Sequence, residues 1–402
     1  MTCRYYQTQL TLVNTSMRKL LSILICCLGG ALQSVDATAA DTPPVLNQKM
    51  SEIGTVMVEL FPLIVVQREL NNTELTLLKK DLTRLIVLFR EAGPHIRQRS
   101  EAYNVSYQLV LEHLDKTKRA LDGKFVERAR MDLYALGPIC TSCHTQDSKL
   151  RTAFAGAARA RFPSDLAYAD FNYLTRNYAQ AERYYDLYLK SGQDKTEFEI
   201  VQPLQRLVTI YAQVLNQPGT GADKLSRYVA IKGHSATTKK HLDGWIAGLR
   251  ALEASGAAKV TDPDIKAVEG YVRQYLGPLD KPLTAVHVAP EQEIPRVWLR
   301  GRLYQALNHM PDAAQIPKLL YWLAVTDRAI GYEYFFSLAD LYLKDCVLTY
   351  SSDPYAQRCF DEYNEYVTYA YSGPGGNFTP PEVTSDLDKL RNALSAAQGV
   401  KH

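Results

Sequence analysis

The sequence predicts an all-α protein in which an N-terminal four-helix bundle precedes an α-solenoid of helical hairpins. Apolar residues recur at spacings of three and four along most segments after residue 50, as on the buried face of an amphipathic helix. Tyrosine is abundant, with 26 residues against 11 phenylalanines, and it suits helices whose packed faces reach solvent, because the ring is buried while the hydroxyl stays hydrated. The pattern does not favour strand-rich sandwiches or parallel-sheet folds.

Residues 1–40 have the pattern of a leader with a secretory signal peptide. Two basic residues precede an apolar run over 20–32, and a pattern of small residues ends at Ala39 and Ala40. We expect translation from Met17, cleavage near Ala39 or Ala40, and export to the periplasm. An uncleaved N-terminal anchor is the alternative. No later stretch approaches the length of a membrane span, so the mature chain is expected to have no integral span.

The balance of charge gives no reason to expect a polyanionic partner. The formal net charge is +3, from 46 basic and 43 acidic residues. Because the positive and negative charges nearly cancel, there is no electrostatic case for binding nucleic acid or an anionic membrane surface.

The segment Cys140-Thr141-Ser142-Cys143-His144 has the spacing of a c-type haem attachment motif. In such a motif the two thiols form thioethers with the haem, and the adjacent imidazole binds the iron. The sequence therefore predicts one covalent haem c on Cys140 and Cys143, with His144 as the proximal iron ligand. The alternatives are a zinc site, which lacks a second close pair of ligands, and a redox dithiol, which is expected at a strand-to-helix turn.

Two further cysteines, Cys346 and Cys359, flank a turn between two segments of helical periodicity. In an oxidising compartment a disulfide joining the two helices is expected. Two separately buried thiols are the alternative.

Residues 41–155 contain four helical stripes joined by short connections, the pattern of an antiparallel bundle with a cofactor in its core. Asn71 and Glu74 predict a capping box at the start of the second helix, and Gly93-Pro94 predicts its end. The fourth stripe includes Cys140 and Cys143. With the haem motif at the end of the last helix, this region resembles the class II c-type cytochromes of the cytochrome c-prime and c-556 type.

The resemblance implies an N-terminal helix over the second haem face that offers either a methionine ligand or only apolar side chains. Met50 is the first candidate for the distal ligand, and Met57 on the same stripe is the second. His95 and His113 are further alternatives, although loop or polar-face positions are more usual for such histidines. Methionines on an apolar stripe also commonly serve only to fill the core.

Residues 160–400 favour a TPR-like helical-hairpin domain, with a division near 278–295 where helical periodicity is lost. The segment 164–190 resembles one tetratricopeptide repeat, with small residues between two helices and large aromatics in the gaps. A domain of this kind presents a concave surface to a partner protein. No catalytic triad, phosphate-binding loop or dinucleotide fingerprint is recognisable in this half.

These features predict an exported monohaem c-type cytochrome that performs single-electron transfer and docks to a redox partner through its helical-repeat domain. One alternative is a gas-binding or sensing protein with five-coordinate haem, and another is a scaffold with a structural haem. We do not expect an enzyme, since no acid-base groups mark an open distal site, although peroxidase-like activity is left open. A homodimer is also left open.

Overall fold

Helices dominate the computed structural model of the chain, so the protein is all-α, as predicted. The structure describes residues 44–65, 68–98, 101–144, 157–191, 194–231, 235–260, 264–277, 288–309, 312–330, 337–373 and 376–399. The predicted leader, Met17 and the cleavage positions Ala39 and Ala40 lie outside these residues. Most of the segment predicted to divide the C-terminal half, 278–287, lies outside them as well.

The first four helices pack in chain order. They are α1 (Pro44–Val65), α2 (Asn72–Ile96), α3 (Glu101–Asp122) and α4 (Val126–His144). Each contacts the next, and α1 also contacts α4. Ion pairs between α1 and α2 join Lys49 to Glu91 at 2.6 Å and Glu59 to Arg84 at 4.0 Å. Residue numbers rise on α1 as they fall on α2, so these two helices are antiparallel.

The remaining helices follow as a series of neighbouring pairs. They are α5 (Asp165–Leu174), α6 (Tyr178–Lys190), α7 (Glu197–Val208), α8 (Pro218–Ser226), α9 (Ala236–Ala254), α10 (Ile265–Leu276), α11 (Pro290–His309), α12 (Ile316–Ile330), α13 (Ala339–Thr349), α14 (Pro354–Tyr371) and α15 (Pro381–Gly399). Short 3₁₀ turns lie at Arg159–Arg161, Ala257–Lys259 and Ala313–Gln315, and a π-helical turn spans Thr209–Val214. Strands β1 (Ser372–Gly373) and β2 (Gly376–Asn377) form an antiparallel pair before α15.

The predicted start of α2 is confirmed, and its predicted end is wrong. The Asn71 side chain accepts the Glu74 N–H while the Glu74 carboxylate accepts the Asn71 N–H, which is a capping box. At the other end the helix continues past Gly93 and Pro94 to Ile96, and the Arg97 N–H bonds the Gly93 carbonyl. A proline in the last turn removes one N–H donor and leaves the preceding turns intact.

The two largest of the four apolar clusters in the described chain are an N-terminal core and a C-terminal core. The N-terminal core is formed by residues of all four helices α1–α4. Its fully enclosed residues are Val56, Leu60, Leu78, Leu85, Leu114, Ala129, Leu136 and Ile139. The much larger C-terminal core runs through α5–α15 and includes Val105 of α3. Helix α3 also contacts α11 and α13. The first four helices are therefore packed against the C-terminal helices, and Pro44–His402 forms one compact unit.

A fully enclosed ion pair ties three helices together inside the C-terminal core. Arg300 of α11 donates from Nε to Oδ1 of Asp327 on α12 at 2.5 Å, and both side chains are 0% exposed. The other oxygen of Asp327 accepts the Leu338 N–H at 3.0 Å, just before α13 begins. The Arg300 guanidinium also lies over the Tyr304 ring, 4.7 Å from its centroid. These contacts offset the cost of removing both charges from water.

Cys346 of α13 and Cys359 of α14 are joined by a disulfide, with their Cα atoms 6.3 Å apart. Both residues are fully enclosed in the C-terminal core. The bond links the two helices across the turn that separates them.

We expect Asp327→Ala to destabilise the protein by about 3–5 kcal/mol, because it leaves a buried guanidinium without its carboxylate. Asp388→Ala is the control, since Asp388 pairs with Arg391 on the surface, where the side chains are 59% and 56% exposed, and its loss costs less than about 1 kcal/mol. Denaturant unfolding of the two variants measures the difference. Equal destabilisation would show that the enclosed pair has no special weight.

The disulfide gives a second prediction. Non-reducing peptide mapping of protein recovered from an oxidising compartment yields one cross-linked species that contains Cys346 and Cys359. Replacing both cysteines with alanine lowers the free energy of unfolding by about 3 kcal/mol, since a closed loop no longer restricts the unfolded chain. Complete alkylation of both thiols without prior reduction would contradict this pairing.

Candidate functional site

The predicted haem motif, Cys140 to His144, forms the last five residues of α4. Cys140 is half-buried and packs against the N-terminal core. The side chains of Cys143 and His144 lie outside the described part of the structure. The structure thus places the first predicted attachment thiol against the interior of the first four helices.

Arg130 fixes the position of α4 relative to α1. Its side chain is only 6% exposed and donates to the carbonyls of Leu63 at 3.1 Å and Arg68 at 3.1 Å, with a longer contact of 3.4 Å to Ile64. These are carbonyls at and just beyond the end of α1, which lack partners within the helix. The guanidinium also pairs with Glu127 at 2.8 Å. Arg130 therefore joins the first turns of α4 to the last turn of α1.

This contact sets which residues of α1 lie level with the end of the predicted haem motif. The backbone of His144 lies 14 residues after Arg130, and Met50 lies 13 residues before Leu63, which in each case is about 20 Å along a helix. Met57 lies 6 residues before Leu63, or about 9 Å along α1. Going back along α1 from Leu63 leads toward the end of α4. The residue count therefore places Met50, rather than Met57, level with the end of the predicted haem motif.

Met50 and Met57 also pack against different apolar groups. Met50 is half-buried between the N-terminal core and a second apolar group, the end cluster, whose buried members are Leu46, Ala92, Ile96, Tyr103 and Tyr107. Met57 packs instead against the N-terminal core and an aromatic group that contains Phe61, Phe162 and Phe171. Met57 therefore faces the junction with α5, whereas Met50 faces the end cluster.

The end cluster is held together by a close contact between α2 and α3. A Cβ atom built on Gly93 would lie 2.1 Å from the Tyr107 hydroxyl oxygen, so no larger residue fits there without a shift. The Arg97 guanidinium lies over the Tyr107 ring, 5.9 Å from its centroid. Tyr103 and Tyr107 are 7% and 5% exposed. Together these side chains form an apolar, aromatic wall beside Met50.

The two alternative histidine ligands are placed differently. One ring nitrogen of His113, Nε2, is hydrogen-bonded to the Asp132 backbone carbonyl, which links α3 to α4. His95 is half-buried in the last turn of α2. His113 therefore already takes part in packing two helices together.

Asp81 was not singled out by the sequence analysis, and it is the one charged residue on the buried stripe of α2. Its carboxyl is 0% exposed, and neither oxygen has a hydrogen-bond partner in the described structure. Burial raises the pKa of the Asp81 carboxyl, and the nearby carboxylate of Glu59 on α1 raises it further. In the sequence, the sign of this buried carboxyl is an aspartate that interrupts the apolar stripe of Leu78, Leu82 and Leu85.

Comparisons of the chain with protein-family models, with curated proteins and with solved structures find no match. Among the described residues, no group of three or more histidine, cysteine, aspartate or glutamate side chains is arranged to hold a bare metal ion. None of the described helices is both long and apolar enough to cross a membrane.

Asp81→Asn is expected to stabilise the folded protein at pH 7 by on the order of 1 kcal/mol, because the variant no longer ionises in an enclosed site. In the unfolded chain Asp81 ionises near its usual pKa of about 4, whereas the folded carboxyl keeps its proton to higher pH. The stabilisation therefore disappears below about pH 4 and grows as pH rises toward the folded pKa.

Denaturant unfolding of wild type and Asp81→Asn between pH 3 and pH 8 measures this difference. Asp122→Asn is the control, because Asp122 lies on the surface beside Lys118, with 60% of its side chain exposed. A stabilisation that is constant with pH, or one that appears equally in the control, would rule out an enclosed titrating carboxyl at position 81.

Proposed function

We propose that the protein is an exported monohaem c-type cytochrome that carries out single-electron transfer. In this proposal α1–α4 form a four-helix haem-binding bundle of the class II type. Cys140 and Cys143 hold one covalent haem c, His144 is the proximal iron ligand, and Met50 is the distal ligand. The observation that carries the proposal is the Cys-x-x-Cys-His segment at the end of α4, with Cys140 packed against the interior of the helices.

The donor set fits such a group. Two thiols three positions apart on a helix lie on neighbouring turns of one face, where they can form two thioethers to a single macrocycle. Haem iron needs only one or two axial ligands from the chain, so a cluster of three protein ligands is not expected. Cys140 and Met50 pack against the same apolar core from α4 and α1, so an attachment thiol and the proposed distal ligand border one interior.

The chain has two further tasks in this function. A covalently held haem supplies a centre that exchanges one electron. Met50, as a thioether ligand, favours the reduced state and closes the iron to small gases. The end cluster, with Tyr103 and Tyr107 almost wholly enclosed, excludes water from the Met50 side. An apolar environment of this kind also favours the less charged, reduced state.

We assign partner binding to the C-terminal helices. The pair α5 and α6 supports a TPR-like arrangement, since Ala181 and Ala169 are fully enclosed where the helices meet. Such helical pairs commonly present a surface to a second protein. Export to the periplasm is supported by the leader pattern in the sequence and by the disulfide between Cys346 and Cys359.

We expect the mature protein, produced with haem-attachment machinery, to give a low-spin reduced spectrum that does not change on adding carbon monoxide. Met50→Leu keeps the apolar volume and removes the thioether. The variant should bind carbon monoxide when reduced and should show a lower midpoint potential. Met57→Leu is the matched control and should leave the spectrum and the potential unchanged.

Other outcomes have clear meanings. Prompt binding of carbon monoxide by the wild type would replace electron transfer with the five-coordinate, gas-binding function. A response to Met57→Leu instead of Met50→Leu would move the distal ligand to Met57. Retention of covalent haem by a Cys140→Ser/Cys143→Ser variant would overturn the site itself. A covalent haem that no electron donor reduces would favour the structural-haem scaffold.

A further inference from the structure

An arginine of α11 is almost wholly enclosed and has no counter-charge in the part of the chain that the structure describes. Arg302 is 8% exposed, and its Nε atom is enclosed without a hydrogen-bond partner. No described hydrogen bond or ion pair involves its two terminal nitrogens, and they are not among the enclosed atoms that lack partners. The side chain is thus enclosed along its length, while the nitrogens at its tip are the ones that solvent reaches.

Other arginines show how this fold compensates an enclosed guanidinium. Three arginine side chains that are 7% exposed or less each pair with a carboxylate. These pairs are Arg130–Glu127 at 2.8 Å, Arg300–Asp327 at 2.5 Å and Arg328–Glu362 at 3.1 Å. A guanidinium does not lose its proton in a protein, so it cannot avoid the cost of burial by becoming neutral. An enclosed charge that has no partner is therefore costly at Arg302.

Aromatic rings from α10 and α11 surround this guanidinium. Trp298, four residues before Arg302 on α11, is fully enclosed, and the guanidinium lies over its ring at 5.8 Å from the centroid. Tyr271 and Tyr275 of α10 are half-buried and meet the Trp298 ring edge-on, with centroid distances of 4.9 and 5.9 Å. The indole N–H donates to Oδ1 of Asn216 at 2.8 Å. The guanidinium therefore lies on an aromatic group whose own position is fixed.

The chemistry of these groups selects one kind of anion. Burial lowers the pKa of the Arg302 guanidinium, and the nearby Tyr271 phenol partly offsets this change. One positive charge beside one neutral hydroxyl matches a single carboxylate group, whose two oxygens fit the fork of a guanidinium. The half-buried rings of Tyr271 and Tyr275 offer apolar surface, on which the organic part of a carboxylate can pack. Inorganic phosphate has no apolar part that could use this surface.

We propose that Arg302 is the anchor of a binding site for an organic carboxylate. The two terminal nitrogens of the guanidinium donate to the two carboxylate oxygens, and the Tyr271 hydroxyl donates to one of the same oxygens. The organic part of the ligand packs against the rings of Tyr271 and Tyr275. Binding supplies the negative charge that the described chain does not give to Arg302. This inference is independent of the proposed haem function, and it adds a ligand to the C-terminal helices.

The test is isothermal titration calorimetry of the full-length protein with sodium benzoate, in sodium chloride buffer of constant ionic strength. The wild type should bind one benzoate per chain, and inorganic phosphate should bind more weakly. Arg302→Met keeps an unbranched side chain without the charge, and it should abolish binding. Arg273→Met on α10 is the control, since the Arg273 side chain is 75% exposed and pairs with Glu269 at 2.7 Å. This control should bind benzoate as the wild type does.

Tyr271→Phe provides an independent variant that retains the guanidinium. It removes one hydrogen-bond donor to the ligand, so it should weaken benzoate binding several-fold. In urea unfolding, benzoate should raise the midpoint of the wild type and leave that of Arg302→Met unchanged. A wild type that does not bind benzoate, binding that survives in Arg302→Met, or phosphate bound more tightly than benzoate would each overturn the inference. None of these results bears on the haem motif at the end of α4.

Discussion

The bonds from Arg130 to the end of α1 are the constraint on which the candidate site depends. A helix end leaves carbonyl groups without partners, and here a side chain from α4 satisfies those of Leu63 and Arg68. The same bonds fix how far α4 extends along α1. With the two helices anchored at one end, the residue count brings His144, the last residue of the predicted motif, level with Met50 at the other. Two residues 94 positions apart in the sequence are thus brought to one end of the helices.

A second constraint joins the two halves of the chain. Helix α3 contributes to the N-terminal core through Leu114 and to the C-terminal core through Val105, so neither core is complete without it. Deeper in the C-terminal half, the enclosed Arg300–Asp327 pair and the disulfide fix α11–α14 relative to one another. The helices to which partner binding is assigned are therefore packed directly against α3 of the first four helices.

Local chemistry was predictable from the sequence, whereas contacts between distant segments were not. The capping box of Asn71 and Glu74 involves residues three positions apart, and the structure contains it. The predicted end of α2 at Pro94 was wrong, because a proline in the last turn leaves the preceding turns intact. Helix α7 ends at Val208 and a π-helical turn follows. The residues of that turn are all buried, so tertiary packing sets its geometry. Asp81 and Asp170 belong to the same class, since only the folded structure shows which helices enclose each carboxyl.

The carboxyls of Asp81 and Asp170 differ in the partners that the fold gives to their charged forms. Asp81 has no hydrogen-bond donor in the described structure, so only Coulomb attraction to Lys80 and Arg84 favours its charged form. Asp170 has a tyrosine hydroxyl on one oxygen and Arg206 nearby, so its charged form is partly stabilised. The fold therefore gives the charged form of Asp170 a hydrogen-bond donor, whereas the described structure gives Asp81 none.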